Sequence, residues 1–504
     1  MTMVTMHRLT SLAKTNQRNI RRMRIVMNDE LKMKWHSIYG QILTDRKLMS
    51  AWKQVEANEG CGGIDKETIE TYKVDEENKI LQLLQELKNK EYKPTPVKRV
   101  YIPKKNGDKR PLGIPVIRDR IVQQSVVNVL SPKFEDGIFH KCSCGYRPGR
   151  GIERVMQIVL WYVEHGYSHI YDCDIKGFFD NIPHKNLMKV LTKYIADGTV
   201  LDMIWAWLKS GYMEEGKFME SNSGTMQGGV ISPLLANAYL NELDWELEKE
   251  GIKFVRYCDD FLLFAKTDDE IKRAGEIAKK VIESLGLEIA INKTKFVDFN
   301  KDDFDFVGFS FKHWRERKNG TGSYFIVEPT EKSLKDFKKK IKDATGKTLT
   351  LSQEVWMQRV NPIIRGKVNF YLYPFKAIEK NKLYGVESHC YLNSISNKLD
   401  NIDSYTRQRL RVCMIHKHPG VRKGFQMVHK WSVKYFCRTK LIPSNWLYYN
   451  RSIGFEIEEY IENHTKKWKK KREKQIERLK SQGKEYYTKE RLRGIAINKG
   501  LVTT

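Results

Sequence analysis

Apolar and polar positions alternate along this chain in three successive styles, and each style predicts a different kind of element. Up to about residue 90 the chain reads as helical. It is basic at first, and then apolar residues recur at three- and four-residue spacing in "MKWHSIYGQILTDRKLMSAWKQV" and "ENKILQLLQELKNKEY". The Gly-rich "NEGCGGIDKETIE" between them reads as a loop entering a short helix. "VKRVYIPKKNGDKRPLGIPV" then gives two strands about a Lys-Lys-Asn-Gly-Asp turn, and residues 118 to 134 return to helix. From about 166 to 312 strands and helices interleave. The order is a strand in "SHIYDCDIKGFFDNI", helices to about 215, the loop "SGTMQGGVISP", the helix "LLANAYLNELDWELEKE", a hairpin in "FVRYCDDFLLFAK", a helix over 269–285, and short strands in "LEIAINKTKFVDF" and "FDFVGFSFKHW". A sheet with helices on one side suits this order, so the expected fold class is α+β. After about 325 the pattern is helical and basic, closing in "NHTKKWKKKREKQIERLKSQGKEYYTKERLRG".

The hairpin carries the first chemical anomaly. Asp259 and Asp260 lie side by side at its expected tip, where like charges repel unless something doubly positive is shared with a third carboxylate. "IYDCDIKGFF" offers that third group: strand alternation puts Asp172 and Asp174 on one face, and Asp174 ends the strand before Gly177. Hard cations held by carboxylates and substrate phosphates serve in-line phosphoryl displacement. The pattern therefore points to nucleotidyl transfer.

Charge narrows the substrate. Lys and Arg number 90 against 62 Asp and Glu, a formal net charge of +28, which favours an extended polyanion as partner over a membrane or an acidic protein. No apolar run is long enough to span a bilayer and the start lacks the apolar core of a signal peptide, so the expected location is cytoplasmic, associated with nucleoid or ribonucleoprotein. The eight cysteines are scattered, and Cys142 and Cys144 have the wrong spacing for a zinc knuckle, so free thiols are expected.

The succession "YIPKKNGDKRPLGIPVIRDRIVQ", "FHKCSCGYRPGRG", "YDCDIKGFFDNIPH", "GTMQGGVISPLLAN", "YCDDFLLFA", "LEIAINKTKFVDF" and "FVGFSF" resembles the ordered sequence blocks of reverse transcriptases, in the version encoded by bacterial group II introns. "VNPIIRGKVNFY" and "LDNIDSYTRQRLR" are similar to the thumb and maturase segment of those proteins, so the resemblance covers roughly residues 30 to 450. It departs at Cys258, where the family commonly has Ala. It also departs in lacking the paired cysteines and His-Asn cluster of an HNH endonuclease, so second-strand nicking is not expected of this chain.

The resemblance implies a right-hand polymerase followed by a mainly helical maturase domain. Its expected parts are an N-terminal extension and start of the fingers (1–90), fingers and palm (91–320), thumb (321–395), maturase domain (396–450) and basic tail (451–504). It implies that Asp174, Asp259 and Asp260 are catalytic and, with Ile175, ligate metal: two Mg2+ ions, with Mn2+ as substitute. Asp172 is then structural or auxiliary. Lys104 and Arg110 match the residues that grip the incoming triphosphate, and Phe179 the aromatic that excludes a ribose 2′-hydroxyl. Gln227 and Gly228 match the loop behind the nucleotide sugar, and Lys293 a lysine that would protonate pyrophosphate. Arg147 and Arg150 suit template contact. Arg365, Lys367, Arg407, Arg409 and Arg411 have the type and clustering for RNA phosphates, and Trp356, Tyr371, Tyr405 and Trp431 could stack bases or fill the core.

The expected partners are an RNA template and intron RNA, a DNA primer or target, dNTPs and a second copy of the chain, with no membrane. The expected function is RNA-directed DNA synthesis with assistance to splicing and retromobility. A host-adopted reverse transcriptase of defence or repair, a non-catalytic splicing factor and an RNA-dependent RNA polymerase are the rivals; Phe179 disfavours the last.

Overall fold

The computed structural model describes residues 34–103, 109–346, 351–418, 420–421 and 424–481. The basic start, Lys104 with its turn, and the end of the basic tail lie outside the described residues. The chain divides into two compact units, Met1–Asp302 with Tyr384–Glu387, and Asp303–Leu383 with Ser388–Thr504.

In the first unit the three-and-four pattern becomes helices Asp45–Ala57 and Glu76–Lys88. Their apolar stripes, Leu48, Trp52 and Val55 on one and Ile80, Leu83, Leu84 and Leu87 on the other, are buried. Strands β1 (Val97–Pro103) and β2 (Lys109–Ile114) pair antiparallel, with Ile102 opposite Arg110. The next helix, Ile117–Glu135, is held at its start by buried Asp119, which accepts hydrogen bonds from the Tyr92 hydroxyl (2.7 Å) and the Thr95 amide (2.9 Å).

A four-stranded antiparallel sheet organises the unit. With β3 (His169–Asp174), β6 (Lys253–Tyr257), β7 (Asp260–Ala265) and β8 (Lys295–Asp298), its order is β6-β7-β3-β8. The helix Asp268–Ser284 packs on β3 and β7. The Thr267 hydroxyl caps it by accepting from the Glu270 amide, and Asp268, Asp269 and Glu270 place negative charge at the positive end of its dipole. Ile271, Ala274, Ala278 and Ile282 bury its inner face. The helix Ser232–Lys249 packs against β6 and buries, among its apolar residues, the polar Asn237, Asn241 and Asp244.

Two segments differ from the sequence expectation. Helix stops at Lys209, and β4 (Tyr212–Glu214) and β5 (Lys217–Met219) form a hairpin that joins β1 and β2 in the order β2-β1-β4-β5. Its two-residue loop, Glu215 and Gly216, has positive φ at both positions, the geometry that matches strand twist, whereas apolar spacing alone could not separate this short segment from helix. "LEIA" does not form a strand; it contributes a single bridge, Ile289 to Ile175, before the chain turns at Ala290 to Thr294.

The second unit combines a four-stranded sheet with helices. β9 (Phe304–Phe306), β10 (Phe309–Glu316), β11 (Ser323–Pro329) and β12 (Cys390–Tyr391) run in the order β12-β11-β10-β9. Phe309 stacks on Phe370 of the helix Gln353–Tyr371, and Phe337 meets Tyr371 edge-on. In the helix Ser394–Ile415, buried Asp403 reaches the N-terminus of the helix Ser444–Ile453. There it accepts from the Ser444 and Asn445 amides at 2.6 and 3.1 Å, satisfying donors a helix start leaves free. The expected basic tail begins with the helix Ile457–Ser481.

Candidate active site

The carboxylates converge because of strand register. Asp174, the last residue of β3, lies directly opposite Asp260, the first of β7, and Tyr257 pairs with Asp260 across the β6–β7 hairpin. That leaves Cys258 and Asp259 as a two-residue loop, with Cys258 at φ 63°, the left-handed conformation that primed hairpin turns require. Asp174 and Asp260 face each other across the two strands. Burial, the interaction with Asp174 and the charge of Asp259 push Asp260 well above the ordinary carboxylate range, although its side chain stays open to solvent on one side. Burial and the charge of Asp174 raise Asp259 as well, against the opposing pull of Arg110 and Lys293.

Two cations face this cluster. Lys293, in the turn after Ile289, donates to Asp174 at 2.5 Å, a bond that raises the lysine above its usual range. Arg110, on the exposed end of β2, acts on Asp259. Asp172 shares the face of Asp174 and lies 4.0 Å from Lys295. The Ile175 side chain is buried, so only its carbonyl could reach a ligand.

The hairpin tip is set by buried groups that sequence reasoning missed. Arg256 forms a two-pronged ion pair with Asp244 at 2.7 and 2.5 Å, with both side chains essentially removed from solvent. Its remaining nitrogen donates to the Cys258 carbonyl (2.9 Å) and to Asn237 (3.1 Å). Asn237 in turn donates to the Gly145 carbonyl at 2.8 Å. The strip Cys142–Gly145 runs beside β6 through Cys144 N to Arg256 O and Arg256 N to Cys142 O, both 2.9 Å. A Cβ at Gly145 would stand 2.4 Å from the Cys258 nitrogen, so only glycine fits under the tip. The available signal was the polar series Asn237, Asn241 and Asp244 at helical spacing within an apolar run.

The loop before Ser232 is tied to the helix Phe178–Asn181. Thr225 N donates to Phe179 O (2.7 Å), and Gln227 lies 3.4 Å from Asp180. Gln227 O accepts from Gly113 N of β2 at 2.7 Å, and a Cβ at Gly228 would sit 2.4 Å from Gly113 O, so the glycine permits this close approach. The Phe179 ring is half-buried, 6.2 Å from the exposed Tyr146 ring. Lys104 lies outside the described residues.

The basic residues expected on nucleic acid separate into two groups. Arg147, expected at the template, is buried instead: it pairs with Glu135 at 2.8 and 2.7 Å and donates to the carbonyls of His140 and Ser143. Arg150, 30 % exposed, donates to Lys141 O. In the second unit Arg407 and Arg411 are buried and Arg409 is turned onto Thr345. Arg411 donates twice to Trp431 O, just past the end of the helix Phe425–Lys430, so these guanidinium groups hold the helical unit together in place of meeting phosphates. Lys367 pairs with Asp336 at 2.8 Å, and Arg365 is exposed. Trp356, Tyr371 and Trp431 are core; Tyr405 keeps a partly open face.

The donor set at the hairpin suits a hard divalent cation, since its side-chain donors are all carboxylate oxygens. Among the described residues no three His, Cys, Asp or Glu side chains are drawn tightly enough to form a cage. Mg2+ is typically held by one or two carboxylates plus substrate phosphates, so this half-built arrangement fits it.

Comparison with known proteins agrees with this geometry. Residues 102–311 match the family model described as "Reverse transcriptase (RNA-dependent DNA polymerase)". Protein YkfC of Escherichia coli is 34% identical over 277 residues, covering 47% of this chain and 72% of that protein. The group II intron-encoded protein LtrA of Lactococcus lactis is 34% identical over 289 residues, which are 55% of this chain and 44% of LtrA. An uncharacterized 91 kDa protein in a cob intron of Schizosaccharomyces pombe is 25% identical over 443 residues, 72% of this chain and 54% of its own length. The chain thus spans less than half of LtrA. It belongs to the reverse transcriptase family. Within that family, the group II intron-encoded protein LtrA is among the proteins it resembles. The family as a whole works with divalent metal ions, and no helix among the described residues is long and apolar enough to cross a membrane.

Proposed function

We propose that this protein copies RNA into DNA by nucleotidyl transfer and binds intron RNA to assist splicing and retromobility. The observation that carries the catalytic half is the register of β3 and β7, which puts Asp174 against Asp260 with Asp259 at the adjoining tip. Asp174, Asp259, Asp260 and the Ile175 carbonyl would hold two Mg2+ ions, or Mn2+ in their place. When bound, such ions lower the pKa of a primer hydroxyl and stabilise the leaving oxygen.

The chain's own residues do the rest. Arg110, with Lys104, binds the triphosphate of the incoming dNTP. Phe179 lies under the sugar, where an aromatic edge leaves no room for a 2′-hydroxyl, and Gln227 backs it. Lys293 holds Asp174 in place before substrate arrives and is free to protonate pyrophosphate afterwards. Fingers and palm in 91–320, thumb in 321–395 and a maturase domain in 396–450 remain our reading of the domains, with template RNA, a DNA primer and a second copy of the chain as partners in a cytoplasmic ribonucleoprotein.

Primer extension on an RNA template with Mg2+ tests this, with dNTPs and NTPs offered separately beside Asp259→Asn. DNA product from dNTPs alone, reduced at least 10³-fold in the variant, is expected. Tight RNA binding with no product from either nucleotide set would replace the polymerase with a splicing factor.

A further inference from the structure

The second unit holds a cavity of about 320 Å³ between the helices Ser394–Ile415, Ser444–Ile453 and Ile457–Ser481. Asn445 and Tyr460, nearly buried, form its floor, and Tyr449, Phe455 and His464 form its walls. Its size is at the lower end for small-molecule sites, roughly 300–1,000 Å³. Its rims are fixed: Trp446 and Asn450 each donate to Phe455 O at 3.0 Å. Burial and the neighbouring Arg407 lower His464, so its ring is neutral and presents a flat, uncharged face.

The lining is mixed, with Ser396, Asn463 and Lys467 beside the aromatic rings, and its one carboxylate, Asp400, gives the cavity direction. Asp400 accepts from the Asn445 amide on one oxygen and from Lys467 (2.9 Å) on the other, and its side chain stays 26% exposed. A carboxylate offers about four acceptor positions, so each oxygen keeps one for a ligand. A flat aromatic ligand that donates two parallel hydrogen bonds suits Tyr449 and Asp400 together. Among the RNA bases only guanine has two adjacent donors, N1–H and the 2-amino group. Adenine and cytosine set an acceptor nitrogen beside their amino group, and uracil flanks its one N–H with carbonyls. Lys467, already beside Asp400, supplies a donor for guanine O6.

We infer that this cavity binds an unpaired guanine of single-stranded RNA, stacked on Tyr449, whose ring meets Phe455 edge-on at 6.5 Å, and read on its Watson–Crick edge by Asp400. The RNA strand as source rests on the RNA-binding reading above; the choice of base rests on the cavity alone.

The test is anisotropy titration of the full-length protein with labelled nine-residue oligouridines carrying G, A, C, U or inosine at the centre, at salt high enough to suppress contacts to phosphate alone. The central G is expected to bind about tenfold more tightly than A, C or U. Inosine, which lacks the 2-amino group, is expected in between, a readout independent of any variant's folding. Asp400→Asn should erase the preference for G over A, C and U; Tyr449→Ala should weaken all five. Equal, tight binding of all five by the wild-type protein would overturn the base-reading site and leave RNA binding standing. Failure to bind any would overturn both, and free GMP competing as well as the G oligomer would overturn the RNA strand as source.

Discussion

At the scale of single residues, the hairpin tip that carries Asp259 depends on one missing side chain. Gly145→Ala places a methyl group 2.4 Å from the Cys258 nitrogen and 2.5 Å from its sulfur, so the turn that carries Asp259 must move. Displacements near 1 Å at reacting groups cost about 10²-fold in rate. Single-turnover extension by Gly145→Ala should fall by about that factor, with RNA affinity within twofold of wild type. Asp119 gives a pH signature of its own. Burial raises its carboxyl to about 6 from an ordinary 3.8, so between those values the folded chain holds a proton that the unfolded chain lacks. Its contribution to stability is therefore complete below about pH 3.8 and is lost as pH rises through 6. Relative to Asp119→Asn, the wild-type protein should gain about 1 kcal/mol on going from pH 7.5 to 5, read from denaturant midpoints.

At the scale of elements, the β6–β7 hairpin is held to the helix Ser232–Lys249 by the Arg256–Asp244 pair. Arg256→Met strands Asp244 as a lone buried charge and should cost about 3–5 kcal/mol. Adding Asp244→Leu removes that charge, and most of the stability should return. Activity should not, because neither variant donates to the Cys258 carbonyl. Recovery of both together in urea unfolding and primer extension would show that the pair only stabilises the fold. The β4–β5 hairpin teaches a related lesson. Its three-residue strands are too short for periodicity to classify, and the usable signal was Gly216 following a polar residue in a two-residue loop.

At the scale of the whole molecule, the charge of +28 overstates the surface available to a polyanion. Arg147, Arg256, Arg407 and Arg411 are buried on carboxylates, carbonyls or neighbouring rings, whereas Arg365 is exposed. Each phosphate contact to a single strand contributes about 0.7 to the slope of log affinity against log salt. Arg365→Gln should lower that slope for RNA by about this amount and leave the melting temperature unchanged. Arg411→Gln should do the reverse, lowering the melting temperature and leaving the slope unchanged, because its guanidinium is bonded to Trp431 O.

The amino-acid order by itself determined the family, the α+β class and the cluster of three carboxylates, because these rest on local signals: alternation that puts Asp172 and Asp174 on one face, a turn that carries Asp259, and blocks in a fixed succession. Arginines could not be sorted in the same way. A guanidinium on a phosphate and one on a buried carbonyl are the same letter, and which it meets depends on a helix face set by residues far away, as Arg411 and Trp431 show. The tie from Asn237 to Gly145 spans 92 positions, and that from Arg110 to Asp259 crosses from one sheet to another. Only tertiary structure decided these, since burial and long-range hydrogen bonding are properties of the packed chain and leave no period in its sequence.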